Sequence, residues 1–403
     1  MSRTSELMDK VAGVRLSATA AGIRKADRLD LVLFEIEPGA SCAAVFTRNA
    51  FCAAPVLMAR AHLATRAPRY LLINSGNANA GTGEQGMRDA QACCAALALL
   101  SGCQVEDVMP FSTGVIGEPL PVEKIKNGLA AALQGLRAGG WDDAARGIMT
   151  TDTRPKAVSK RVHLGNVECV INGIAKGAGM IHPNMATMLG FLATDARVAP
   201  ALLQRCLAEA VDDSFHCITI DGDTSTNDAC VLIASGAANM PVLASADDAR
   251  YAALREAVGD VCRELAQAIV RDAEGATKFM TIEVTEGRDR EECRAAATTI
   301  ALSPLVKTAF FASDPNWGRI LAALGRAPLP ELDVARVTIW LDDVCIVRQG
   351  QRASDYTEER GRAVMQRQDI TVRVQLGRGD AKARVWTSDL SYDYVRINAE
   401  YRT

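Results

Sequence analysis

Aromatic residues make up only 5% of this chain of 403 residues, histidine occurs four times, and the net charge is −3. A nucleic-acid-binding protein carries a basic excess interleaved with stacking aromatics, and both are missing. No C-x-x-C pair occurs, and His62, His163, His182 and His216 stand at no metal-ligand spacing beside cysteines. No run of about 18 apolar residues is available to span a bilayer. Met1–Lys10 mixes acids with bases and lacks the apolar stretch of a secretory signal. The phosphate-cradling patterns G-x-x-x-x-G-K-S/T and G-x-G-x-x-G are absent too. The expectation is a soluble, cytoplasmic protein with no metal, no nucleic-acid partner and no membrane contact.

What is present is an ordinary globular balance, with 49% hydrophobic and 23% charged residues. The length suffices for two or three domains' worth of core. The twelve cysteines are scattered, and several sit in apolar stretches such as Gln91–Leu100. There a free thiol acts as a small buried hydrophobe.

Strand-like runs recur at Leu31–Glu37, Cys42–Thr47, Tyr70–Asn74, Val167–Ile174, Cys217–Ile220, Phe279–Val284, Val337–Leu341 and Ile370–Leu376. Helical patterns are clearest at Gly86–Ser101, Val122–Leu136, Ala199–Asp213 and Ala246–Arg271. In the third of these, Leu203 with Cys206 and Ala208 with Val211 keep the spacing of a buried helix face. Gly165-Asn166 between Val162–Leu164 and Val167–Val170 signals a hairpin. The alternation of strands and helices predicts an α/β or α+β layered protein. No internal repeat and no Pro/Gly/Ser linker divides it.

Glycine and small polar residues concentrate in five places. These are Asn74–Ala80 (NSGNANA), Ser112–Gly117 (STGVIG), Lys176–Met180 (KGAGM), Asp221–Asp228 (DGDTSTND) and Asp272–Lys278 (DAEGATK). Each borders a strand-like run, and such loops expose backbone N–H groups to a ligand. Five of them together suggest a shared site. Within the stretch Lys176–Asp195, Thr187 follows the small residue Ala186, with His182-Pro183-Asn184 forcing a turn upstream. A bend there presents the Ala186 carbonyl to the Thr187 hydroxyl.

The string KGAGMIHPNMATMLGFLATDA, with STGVIGEPLP, TTDTRPK, DGDTSTND, DAEGATK and the terminal INAEYRT, resembles the ornithine acetyltransferase family, also called glutamate N-acetyltransferase. The resemblance runs from about Val14 to Thr403 with the motifs in family order. It implies self-cleavage between Ala186 and Thr187. The products are an α chain (1–186) carrying the oxyanion hole and a β chain (187–403) carrying the nucleophile and C-terminal substrate residues. Thr187 Oγ attacks the preceding carbonyl, the N→O shift leaves an ester, and water releases it. The freed α-amine, with a reference pKa of about 7.7–8.0, then accepts the hydroxyl proton, so one residue is nucleophile and base.

Thr113 and Gly114 match the family's oxyanion-hole pair, in which losing one donor costs about 10²–10³ in kcat. The implied substrate contacts are Thr150, Lys176, Thr187, Glu274, Asn398 and Thr403. Thr151, beside Thr150, leaves that assignment open between the two. By charge, Lys176 suits the substrate α-carboxylate and Glu274 an amino group of ornithine. The roles of Asp221, Asp223 and Cys217 stay open.

The implied reaction is ping-pong: acetyl passes from N2-acetylornithine to Thr187 and then to glutamate, a step of arginine biosynthesis. Some members also take acetyl-CoA, and the residues leave both types open. No cofactor is implied. The implied fold is an α/β/β/α sandwich similar to, yet distinct from, the N-terminal-nucleophile hydrolases, assembled as α2β2. The alternatives are a self-processing N-terminal-nucleophile aminopeptidase or amidohydrolase, and a small-molecule-binding protein with Ala186–Thr187 intact.

Overall fold

The structure is a computed structural model and describes residues 8–182 and 188–400. In chain order it contains β1 (Val14–Thr19), β2 (Leu31–Ile36), β3 (Ser41–Phe46), α1 (Ala54–Thr65), β4 (Tyr70–Asn77), α2 (Gly83–Ser101), β5 (Val108–Val115), α3 (Val122–Gln134) and α4 (Trp141–Gly147). Next come β6 (Lys156–Leu164), β7 (Val167–Lys176), β8 (Leu189–Thr194), α5 (Pro200–Asp212), β9 (Ile218–Thr219), β10 (Ala229–Ala234) and α6 (Ala249–Arg271). The remainder adds β11 (Phe279–Gly287), α7 (Arg290–Ala301), α8 (Pro304–Phe311), α9 (Trp317–Gly325), β12 (Thr338–Leu341), β13 (Val344–Arg348), β14 (Gln351–Arg352), α10 (Glu358–Met365), β15 (Asp369–Gln375), β16 (Ala381–Ser388) and α11 (Tyr392–Ala399).

Two compact units result, one of Met1–Gly177, Asn184–His216 and Asp223–Ile269, the other of Ala178–Pro183, Cys217–Gly222 and Val270–Thr403. The chain boundary expected at Ala186/Thr187 lies outside the described residues.

In the first unit a four-stranded sheet (β1-β2-β4-β5) faces a five-stranded one (β3-β10-β8-β7-β6). Strand β2 shows how sequence builds the layers. Its Val32 and Phe34 point into the space between the sheets, with Phe191 and Val231 opposite, while Leu31 and Leu33 meet Leu97 of α2 and Leu129 of α3. Successive side chains alternate faces, and both faces of β2 are covered, so the strand reads as continuously apolar. The scarce aromatics are spent here: Phe191 sits 5.5 Å from Phe34 and 5.1 Å from Phe111, ring centre to ring centre. Burying one such ring contributes about 1.5–3 kcal/mol. On the far side α5 packs on β3 and β10, and Gly173 of β7 lies against Val261 and Leu265 of α6. The layering is therefore α/β/β/α, as the family resemblance implied.

The second unit holds a seven-stranded mixed sheet, β14-β13-β12-β15-β11-β16-β9. Ile282, Val284, Val372 and Val374 share its core with Ala296, Ile300 and Phe310. No described helix is long and apolar enough to cross a membrane.

The hairpin at Gly165-Asn166 forms, with Leu164 opposite Val167 and arms reaching back to Lys156 and on to Ala175. Ala208, expected on the buried face of α5, is exposed; Leu207 and Ala210 take that face.

Candidate active site

In the first unit the parallel strands β4 and β5 end together, and their register slips just after Gly76 pairs with Gly114. A bulge of this kind bends the strand and re-aims the side chains beyond it. Gly114 has φ +136°, and a Cβ on it would sit against the Gly76 carbonyl carbon and 2.5 Å from the Asn77 nitrogen. Only glycine permits that approach.

Buried side chains brace the bend. Ser112 Oγ donates to Asn74 Oδ1 at 2.6 Å, and Asn74 Nδ2 donates to the Asn77 carbonyl at 2.9 Å. Asn227 Nδ2 donates to the carbonyls of Ala78 (2.6 Å) and Ser112 (2.9 Å). Three of the five glycine-rich loops, NSGNANA, STGVIG and the TSTND end of DGDTSTND, are thus tied together. Each polar group that these bonds use would cost about 1–3 kcal/mol left unpaired in the interior. Their joint product is a fixed position for Thr113.

Lys176, at the end of β7, reaches the same place: its Nζ donates to Thr113 Oγ1 at 3.2 Å. Both residues are buried, 5% and 8% exposed. Behind them Asp152 accepts from Lys156 Nζ at 2.5 Å, from the Gly177 N–H at 2.8 Å and from the Thr150 N–H at 2.9 Å. Burial pushes the Asp152 carboxyl up, but Lys176 and Lys156 beside it and the Gly177 N–H outweigh burial and hold it at about 2. The loop bearing Thr150 is therefore fixed by its backbone; Thr150 and Thr151 are both half-buried. Arg28 adds a hydrogen bond to the Thr150 carbonyl at 3.2 Å.

In the second unit, Glu274 Oε2 accepts from Asn398 Nδ2 at 2.8 Å, and the Glu274 N–H donates to the Ala178 carbonyl at 2.9 Å. Gly179 makes room for that carboxylate: a Cβ there would lie 2.6 Å from Glu274 Oε2. Asp221 accepts from the Met180 N–H at 2.5 Å, the Ile181 N–H at 2.9 Å and the Tyr394 hydroxyl at 3.2 Å. It clamps the Ala178–His182 segment, in which Met180 has the left-handed φ of +57°. Asp223 is exposed, and Cys217 is buried at 4% exposure.

The structure thus brings Thr113 to Lys176, and Glu274 to Asn398. Ala186, Thr187 and Thr403 lie outside the described residues. Sequence reasoning missed Asp152, Lys156 and Asn227 as functional supports. Asp152 and Lys156 stand four apart in the quoted TTDTRPK motif, a charge pairing that was available as a signal. Asn227 offered none beyond its small-residue surroundings.

Comparison with known proteins extends these observations. The model of the ArgJ family matches residues 15–403. The arginine biosynthesis bifunctional protein ArgJ of Methylococcus capsulatus is 60% identical over 393 residues, 98% of this chain and 96% of that protein. The protein of the same name from Pseudomonas fluorescens is 54% identical, covering 98% and 97%. Among solved structures, the bifunctional protein argJ of Bacillus halodurans matches 51% of this chain and 95% of its own at 36% identity and a TM-score of 0.49. Ornithine acetyltransferase of Mycobacterium tuberculosis, complexed with ornithine, matches 44% and 93% at 37% identity and a TM-score of 0.38. With nearly its whole length matched, the chain belongs to the ArgJ family, the family of ornithine acetyltransferases that its motifs resemble.

Proposed function

We propose that the chain is a self-cleaving acetyltransferase that moves acetyl from N2-acetylornithine to glutamate through an acetyl-Thr187 intermediate. The observation that carries this reading is the Thr113–Gly114 pair at the β4/β5 bulge. It is a rigid, largely buried donor position of the sort that stabilises a tetrahedral oxyanion. Self-cleavage at Ala186/Thr187 supplies the nucleophile and its amine base. Thr150, Lys176, Glu274, Asn398 and Thr403 contact substrate, with Glu274 offered to the amino group of ornithine. Acetyl-CoA is the second donor of the bifunctional reaction, and the cut chains assemble as α2β2. The names of the relatives, bifunctional proteins of arginine biosynthesis, support this reading.

Intact-mass spectrometry of the wild type beside Thr187→Ala is the test. The reading expects two wild-type fragments meeting at Ala186/Thr187 and an uncut variant; a single uncut wild-type chain overturns it. Incubation with acetylornithine, with and without glutamate, then separates transfer from hydrolysis. Sustained ornithine release that ignores glutamate identifies the aminopeptidase-like alternative.

A further inference from the structure

The oxyanion pair has a charged neighbour, Lys176, whose bond to Thr113 lies outside the role that the implied substrate contact gives it. An ammonium group has donors and no acceptor, so in the Lys176–Thr113 bond the threonine oxygen is the acceptor. The Thr113 hydroxyl proton is thereby directed away from Lys176. Among the described residues no acceptor takes it. A hydroxyl that accepts from a cation is a stronger donor, because hydrogen bonds in a chain polarise one another.

The burial of the groups behind Thr113 points the same way. Asp152, Lys156 and Lys176 are each less than a tenth exposed, and one carboxylate faces two ammonium groups. Lys156 takes the direct bond to that carboxylate. Asp152 also holds the Gly177 N–H, which fixes the backbone next to Lys176. The Lys176 ammonium is thereby held, buried, against Thr113, at the point where the reaction develops negative charge. Preorganised charge in such surroundings acts without reorganisation when the reaction occurs.

We propose that Lys176 is a positioning residue of the oxyanion hole, acting through the Thr113 hydroxyl in addition to the substrate contact implied by resemblance, with Asp152 and Lys156 holding it in place. The inference rests on the acyl-transfer reading above. It differs from a carboxylate-binding role in one measurable respect: a lysine that works through Thr113 has nothing left to act on once the hydroxyl is gone.

The experiment is a double-mutant cycle on kcat and KM for acetyl transfer, with each rate expressed per mole of cut chain by intact mass. The variants are Lys176→Met in the wild-type, Thr113→Val and Thr113→Ser backgrounds. Thr113→Val should lower kcat by about 10²–10³. Lys176→Met should lower kcat by at least tenfold in the wild type and in Thr113→Ser, which keeps the hydroxyl, and by less than threefold in Thr113→Val. An equal loss in all three backgrounds, or a change confined to KM, overturns the inference. Lys176→Gln repeats the cycle if Lys176→Met does not fold. If neither variant gives folded, cut protein, the lysine is structural and the inference falls as well. A wild type that neither cuts itself nor transfers acetyl defeats the underlying reading instead, so the two failures are told apart.

Discussion

Asp152 and Lys156 bury opposite charges against each other at 2.5 Å, with side-chain exposures of 0% and 1%. Removing one partner of such a pair leaves an uncompensated charge and costs about 3–5 kcal/mol. Asp152→Asn should therefore unfold in markedly less urea than the wild type. Lys156→Met should lose less, since Lys176 still faces Asp152. The pair also carries a pH signature. The folded carboxyl is held at about 2, below the ordinary value near 3.9. Its stabilisation is complete above the ordinary value and fades as pH falls through 2, an effect of roughly 2–3 kcal/mol. Urea midpoints between pH 5 and 2 should fall more steeply for the wild type than for Asp152→Asn.

Gly114→Ala tests the bulge. The new methyl would meet the Gly76 and Asn77 backbone, which has no side-chain freedom to yield, at a φ that L-residues avoid. The expected result is a loss of about 100-fold or more in kcat, the scale of a misplaced oxyanion donor, together with a lower melting temperature. An active, fully stable alanine variant would show that the backbone relaxes there at little cost.

Lys307 gives a prediction at the alkaline end. It is buried in the second unit, its Nζ donating to Thr387 Oγ1 at 2.9 Å and to the Ser388 carbonyl. Burial lowers its pKa to about 8, while Asp389 and Asp221 pull the other way. An unfolded lysine titrates near 10.4. Between about 8 and 10.4 the unfolded chain thus binds a proton that the folded chain does not. This residue therefore makes stability rise with pH across that window, by up to roughly 3 kcal/mol. Unfolding midpoints at pH 7.5, 9 and 10 should show a wild-type-minus-Lys307→Met difference that grows with pH. A constant difference would contradict it.

Glu274→Gln bears on the two halves of the proposed reaction. In the proposed reaction its carboxylate, bonded to Asn398, would attract the free amino group of acetylornithine and offer nothing to the side-chain carboxylate of glutamate. Neutralising it should raise KM for acetylornithine about tenfold or more, the worth of a charged hydrogen bond, and leave KM for glutamate less affected. Equal changes for both substrates would remove Glu274 from ornithine recognition.

Sequence patterns made some of this architecture legible and hid the rest for physical reasons. The hairpin at Gly165-Asn166 was readable because a two-residue turn with a glycine at φ +68° leaves a local mark. Strands β8 and β10 are buried at every residue and carry small Gly190, Ala193, Ala229 and Ala234 in place of the unbroken large side chains that marked β2. With both faces covered, the alternation that marks a strand vanishes. Helix α4 spans only seven residues, too few to show a helical period. The site divides in the same way. Thr113 and Lys176 carried motif signatures, whereas their supports owe their roles to long-range placement: Asn227 reaches Ser112 across 115 positions of sequence. No local pattern encodes such a meeting.

The five-stranded sheet decides how the two pieces would stay together after a cut at Ala186/Thr187. Strands β3, β6 and β7 precede that bond and β8 and β10 come after it, yet β3 runs along β10 and β7 along β8. Cleavage would convert those pairings from contacts within one molecule into contacts between two. Unfolding would then also be dissociation, governed by mass action. The melting temperature of the cut protein would climb with its concentration, while that of an uncut Thr187→Ala chain would climb less. The sheet that folds the precursor would thereby become the joint that keeps its two products from drifting apart.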